Sequence, residues 1–112
     1  MTEVSGDYLQ ARQTEAEFTS EVIAMAHLYG WMAHHGRPGR IAAGWRTPIS
    51  GDVGFPDLVL VRGGRLLFVE LKTERGRLSE GQKDWLAALG GCVARAHLWR
   101  PRDWAEIEKA LR

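Results

Sequence analysis

Long apolar runs are missing from this 112-residue chain: no stretch approaches the roughly 20 residues that a membrane span needs. The N-terminal "MTEVSGDYLQARQTEAE" is polar and has no apolar signal core. Neither a membrane nor a secretory destination is expected, and the cytoplasm is the expected compartment. Cysteine is nearly absent as well. Cys92 stands alone, so no internal disulfide can form, which fits a reducing environment. The four histidines and this one cysteine show no zinc-ligand spacing, which sets aside a structural zinc. Cys92 falls in an apolar stretch read as mid-strand with no base nearby, which sets aside a cysteine nucleophile. Internal repeats and low-complexity tracts are lacking too.

Charge of one sign is also lacking overall: the formal net charge is +1. Its distribution is uneven, however. Up to Glu21 the charges are mostly acidic, with Glu3, Asp7, Glu15, Glu17 and Glu21 set against Arg12. Farther on, Arg37, Arg40 and Arg46 meet no acidic residue before Asp52, and Lys72, Arg75 and Arg77 form a second basic group. A guanidinium suits bidentate phosphate contacts, although a solvated charged surface would explain the same pattern. With 45% hydrophobic and 26% charged residues, the composition is that of an ordinary globular protein, and the length suits one domain. Residues 1–13 read as a flexible arm and 14–112 as that domain.

Thr14 followed by Glu17 is a capping box that starts a helix, with Phe18, Val22, Met25 and Tyr29 on its inward face and Gly30 at its end. "WMAHH" reads as a short strand. "GRPGRIAAGWRTPISGDVGFP" is rich in Gly and Pro and reads as a long loop. "DLVLVRGGRLLFVELK" reads as two strands around a Gly-Gly turn, apolar on both faces and so expected to be buried on both. Ser79 starts a second helix, with Gln82, Trp85, Leu86 and Leu89 on one side. "CVARAHLW" is a last strand, and Asp103 to Leu111 a closing helix. The order helix, strand, hairpin, helix, strand, helix predicts an α/β fold with a mixed sheet.

The hairpin carries an unexpected group of charges. If Gly63-Gly64 forms the turn, Arg62 faces Arg65 and the ladder brings Asp57 opposite Glu70. Lys72 then projects on the same face as Glu70. Directly opposed Cβ atoms lie about 4.5–5.5 Å apart, so two carboxylates there repel unless a proton or a cation intervenes. A divalent cation with oxygen ligands, such as Mg²⁺, suits the pair and can meet a substrate phosphate. The plain alternative is a salt bridge of Lys72 with Asp57 or Glu70 at a sheet edge.

Pro56-Asp57 followed by Glu70-Leu71-Lys72 resembles the PD-(D/E)XK nuclease superfamily. "GWRTPISGDVGFPDLVLV" together with "FVELKTERGRLSEGQKDWLAAL" resembles more narrowly the VRR-NUC family, in its small stand-alone form of phages and bacteria. The resemblance spans roughly Glu15 to Trp104. It implies a restriction-endonuclease-like core with a central mixed β-sheet flanked by helices. It also implies a metal-dependent endonuclease cutting phosphodiester bonds in DNA. Asp57 and Glu70 would hold Mg²⁺ or Mn²⁺ with the backbone carbonyl of Leu71. Lys72 would orient or activate the attacking water. Glu17 or Glu21, four apart on one helix face, would supply the family's helical carboxylate, Glu17 being preferred. Gln82 would be the family's glutamine near the site, although it also completes a capping box with Ser79. Similarity to Holliday-junction resolvases implies a homodimer acting on branched DNA. His35, Arg37, Arg40, Arg46, Arg75 and Arg77 are candidate DNA contacts, positioning a duplex without reading bases. The competing reading is a non-catalytic nucleic-acid-binding module on a nuclease scaffold. A sequence-specific restriction enzyme is disfavoured, because the chain lacks a target-reading segment.

Overall fold

The computed structural model describes residues 13–36 and 50–112, and the backbone of 39–41 and 44–46. The expected arm lies almost wholly outside the described residues, as does Arg37. Helix α1 (Glu15–Leu28) starts at Thr14, whose hydroxyl accepts from Glu17 N while the Glu17 carboxylate accepts from Thr14 N. Two orphan donors of the first turn are thereby satisfied. Strand β1 (Met32–His35) follows, then β2 (Gly39–Ile41), β3 (Gly44–Arg46), β4 (Leu58–Arg62) and β5 (Arg65–Leu71). Helix α2 (Glu80–Gly90), β6 (Arg95–Trp99), a 3₁₀ turn (Pro101–Asp103) and α3 (Trp104–Leu111) complete the order.

Four strands form one sheet in the order β1-β4-β5-β6, and β2 pairs with β3 in a separate two-stranded sheet. The first two neighbour pairs are antiparallel, while β5 and β6 run parallel across the α2 crossover. Gly63 and Gly64 have φ of 51° and 81°, the two left-handed positions of a type I′ turn. The hairpin register is the expected one, with Arg62 opposite Arg65 and Leu58 opposite Val69.

One face of the sheet is fully covered. Leu58, Leu60, Leu67, Val69, Leu71 and Trp99 pack there with Phe18, Val22 and Ala26 of α1 and with Ile107 and Leu111 of α3. Helix α2 lies against β6, and Phe55 fits edge-on between Phe68 and Trp85 with ring centroids 5.7 and 5.0 Å away.

Three expectations need correction. The Gly/Pro-rich segment is not a plain loop, because β2 and β3 pair within it. Both hairpin faces are not buried: α2 leaves Met32, Val61 and Leu66 exposed, aligned across three strands by register. Cys92 is exposed and precedes β6 rather than lying within it, because Gly91 to Ala94 bend before the strand begins.

A candidate metal-binding active site

The site is assembled at the end of the sheet where β4 begins and β5 ends. Pro56 is buried and leads directly into Asp57. Continuing the β4–β5 register by one residue puts Asp57 opposite Glu70. The Asp57 carboxylate Oδ2 accepts a hydrogen bond from Leu71 N at 2.9 Å, which fixes it against the end of β5. Glu70 is 1% exposed. Its Oε1 accepts from Gln82 Nε2 at 3.2 Å, and its buried Oε2 has no hydrogen-bond partner.

Burial pushes the Glu70 carboxyl up to about 9 from an ordinary 4.5, and the neighbouring Asp57 carboxylate adds to the shift. The Lys72 ammonium opposes the shift without cancelling it. A buried, unpartnered carboxylate oxygen beside a second carboxylate calls for a shared proton or a cation. The residues present therefore fit a hard divalent ion. Among the described residues no three His, Cys, Asp or Glu side chains converge, so the donor set is this pair plus backbone and water oxygens.

The salt-bridge alternative is not observed. Ion pairs among the described residues join Lys83 to Glu80, Arg102 to Glu74 and Arg112 to Glu108, and none involves Lys72, Asp57 or Glu70. Lys72 is half-buried, and its backbone N–H donates to Trp99 O at 3.1 Å. Its charge reaches Glu70 without being tied to either carboxylate.

The VRR-NUC domain matches residues 11–102, most of the chain. The chain belongs to the VRR-NUC family. Comparison with curated proteins and with solved structures returned no match. Membership makes this a nuclease-type protein with DNA as its substrate class, on a fold of the PD-(D/E)XK kind. No helix among the described residues is long and apolar enough to cross a membrane.

Gln82 of this VRR-NUC chain has two roles at once. Its Oε1 accepts from Ser79 N at 2.8 Å and its backbone N–H donates to Ser79 Oγ at 3.2 Å, while Nε2 donates to Glu70 Oε1. Two glycines make that reach possible. Gly54 has φ of 99°, and a Cβ there would lie 2.5 Å from Gln82 N; a Cβ on Gly81 would lie 2.6 Å from Val53 O. The loop before Asp57 and the first turn of α2 are thus in backbone contact. This explains why a glycine precedes "FPD".

The three acidic residues of α1 differ in what they meet. The Glu17 carboxylate is engaged in the helix cap, and Glu21 is exposed. Glu15, which the sequence reading did not single out, is the α1 residue whose charge raises Glu70. Its only sequence signal is its place in an acidic first turn. His35 is half-buried where β1 meets Leu58, and it lines a groove of about 360 Å³ with Ala16, Thr19, Ser20 and Ile23. Arg75 and Arg77 are exposed on the loop after Lys72, next to the site. Arg40 and Arg46 lie in β2 and β3, opposite Trp45 and Gly39.

Proposed function

We propose that this protein is a Mg²⁺- or Mn²⁺-dependent endonuclease that cuts branched DNA, such as four-way junctions, as a homodimer in the cytoplasm of a bacterium or phage-infected host. The observation that carries the chemistry is the unpartnered Oε2 of buried Glu70 beside Asp57, in a chain of the VRR-NUC family. Asp57 and Glu70 would hold the cation with the Leu71 carbonyl, and a carboxylate of α1 would assist, Glu17 or Glu21 as the family resemblance implies, or Glu15, whose charge acts on Glu70. A bound divalent ion lowers the pKa of a water and offsets charge developing on the phosphate. Lys72, which forms no ion pair among the described residues, would orient that water or take its proton. Gln82 holds Glu70 by donating to Oε1. Arg75, Arg77 and His35, with Arg37, Arg40 and Arg46, would contact the DNA backbone. A two-fold dimer suits a symmetric junction, since two related sites can nick two strands.

The test is cleavage of labelled four-way junction, flap, splayed-arm, duplex and single-stranded DNA with Mg²⁺ or Mn²⁺, using Lys72→Ala as control. Paired symmetric nicks in the junction, lost in Lys72→Ala, are expected. Cutting of a different DNA form would keep the nuclease and reassign its substrate. Binding without cleavage of any form would refute the enzyme and favour a binding module.

A further inference from the structure

The loop that follows Lys72 is held from below by one side chain. Arg100, half-buried just after β6, donates through Nη1 to the carbonyls of Thr73 at 2.7 Å, Gly76 at 2.8 Å and Glu74 at 3.3 Å. Its own backbone N–H donates to Asp103 Oδ2 at 2.8 Å, which anchors the corner into the 3₁₀ turn. A second latch joins the same two segments. Glu74 Oε1 accepts from Arg102 N at 2.6 Å, and Glu74 Oε2 lies 3.5 Å from Arg102 Nη1.

Upstream, Lys72 N is bonded to Trp99 O. Lys72 through Gly76 is therefore attached to the Trp99–Arg102 corner at almost every residue. The loop folds back on the lysine stem: a Cβ added at Gly76 would lie 3.3 Å from Lys72 Cδ. Among the described residues no carboxylate lies within ion-pair distance of Arg100. Among the described residues its guanidinium meets carbonyl dipoles, and its charge adds to the field that Lys72, Arg75 and Arg77 present to an anionic substrate.

We infer that Arg100 is a positioning residue, which fixes the Thr73–Gly76 loop and thereby aims Lys72 and presents Arg75 and Arg77. A planar guanidinium reaches three carbonyls of one turn, and an ammonium cannot span them in the same way. Since orientation dominates when a reacting group is misplaced by about 1 Å, losses on the order of 10²-fold in rate are available to such a residue without loss of substrate binding.

This inference rests on the nuclease reading, and two readouts separate them. The first is limited trypsin cleavage after Arg75 and Arg77, without metal, comparing wild type with Arg100→Met and Arg100→Lys. The second is the single-turnover cleavage rate with Mn²⁺ on whichever DNA the wild type cuts, alongside the Kd for that DNA without metal. Arg100→Met is expected to be nicked several-fold faster at these two sites. Its cleavage rate should fall roughly 10- to 100-fold while its Kd changes less than about twofold. Arg100→Lys should recover part of the rate, and it keeps the test informative if Arg100→Met folds poorly. Unchanged nicking, or faster nicking with an unchanged rate, would overturn the inference while leaving the nuclease intact. A wild type silent on every DNA would overturn the nuclease reading and this role with it.

Discussion

Replacing Glu70 by glutamine should make the metal-free protein more stable, increasingly so as pH rises. In the folded state the Glu70 carboxyl keeps its proton up to about 9, while in the unfolded chain it gives it up near 4.5. The folded state thus binds more protons through that range, so the stability this group contributes is complete below 4.5 and is lost as pH climbs toward 9. Each pH unit removes about 1.4 kcal/mol, so by pH 7 the loss is about 3 kcal/mol. Glutamine has no proton to lose, and its amide can present a donor toward Asp57 instead of a second acceptor. At roughly 4–8 °C per kcal/mol for a domain of this size, the gain in Tm at pH 7 is about 10–25 °C. The assay is thermal or urea unfolding of both proteins in chelator between pH 5 and 9. Ionisations common to both cancel in the difference. The same proton opposes cation binding, so the apparent Mn²⁺ affinity of the wild type should rise about tenfold per pH unit until pH approaches 9. Mn²⁺ should raise the Tm of the wild type and leave Glu70→Gln nearly unmoved. Parallel unfolding curves for the two proteins across this pH range would refute the reasoning.

Other perturbations test neighbouring parts of the structure. Gly54→Ala combines a φ of 99° with a Cβ driven into Gln82 N; it should lower stability by about 2–4 kcal/mol in urea unfolding, and the Gln82–Glu70 contact should be lost in a crystal structure of the variant. Arg62→Ala removes bonds to the carbonyls of Tyr29, Leu111 and Arg112 and a guanidinium 4.7 Å from the Trp31 ring. It should cost about 2–3 kcal/mol, read as a lower urea midpoint, and fray the end of α3 in hydrogen exchange. Burial, and then the Arg95 and Arg65 charges, hold the His97 imidazole below its ordinary 6.5. Its stabilising contribution is therefore present above 6.5 and lost as pH falls through its lower folded value, and His97→Phe should flatten that acid limb of the stability curve.

Local chemistry made much of this molecule legible from sequence. Gly63-Gly64 set the hairpin register, and through it the pairing of Asp57 with Glu70. Thr14–Glu17 and Ser79–Gln82 announced both long helices through their caps. The missed parts depend on contacts distant in sequence. Strands β2 and β3 are three residues each and include glycines, too short to show alternation. An apolar sheet face reads the same whether or not a helix covers it, so the exposure of Met32, Val61 and Leu66 was invisible. Little near Arg100 or Glu15 in sequence marks them; the first acts across more than 20 residues, and the second through the packing of α1 on the sheet, which brings its first turn within reach of Glu70.

The cap of α2 carries a consequence for which substitutions this protein can tolerate. A Ser-x-x box closes equally well with glutamate or glutamine at its third helical position, because the cap asks only for an oxygen. Here that oxygen is committed to Ser79 N, so the other end of the side chain always points at Glu70. Glutamine presents hydrogens there, whereas glutamate would bring a third carboxylate up to Asp57 and Glu70 and take away the donor to Glu70 Oε1. Residue 82 thus answers to two judges: the helix accepts either amino acid, and the Asp57–Glu70 pair accepts one.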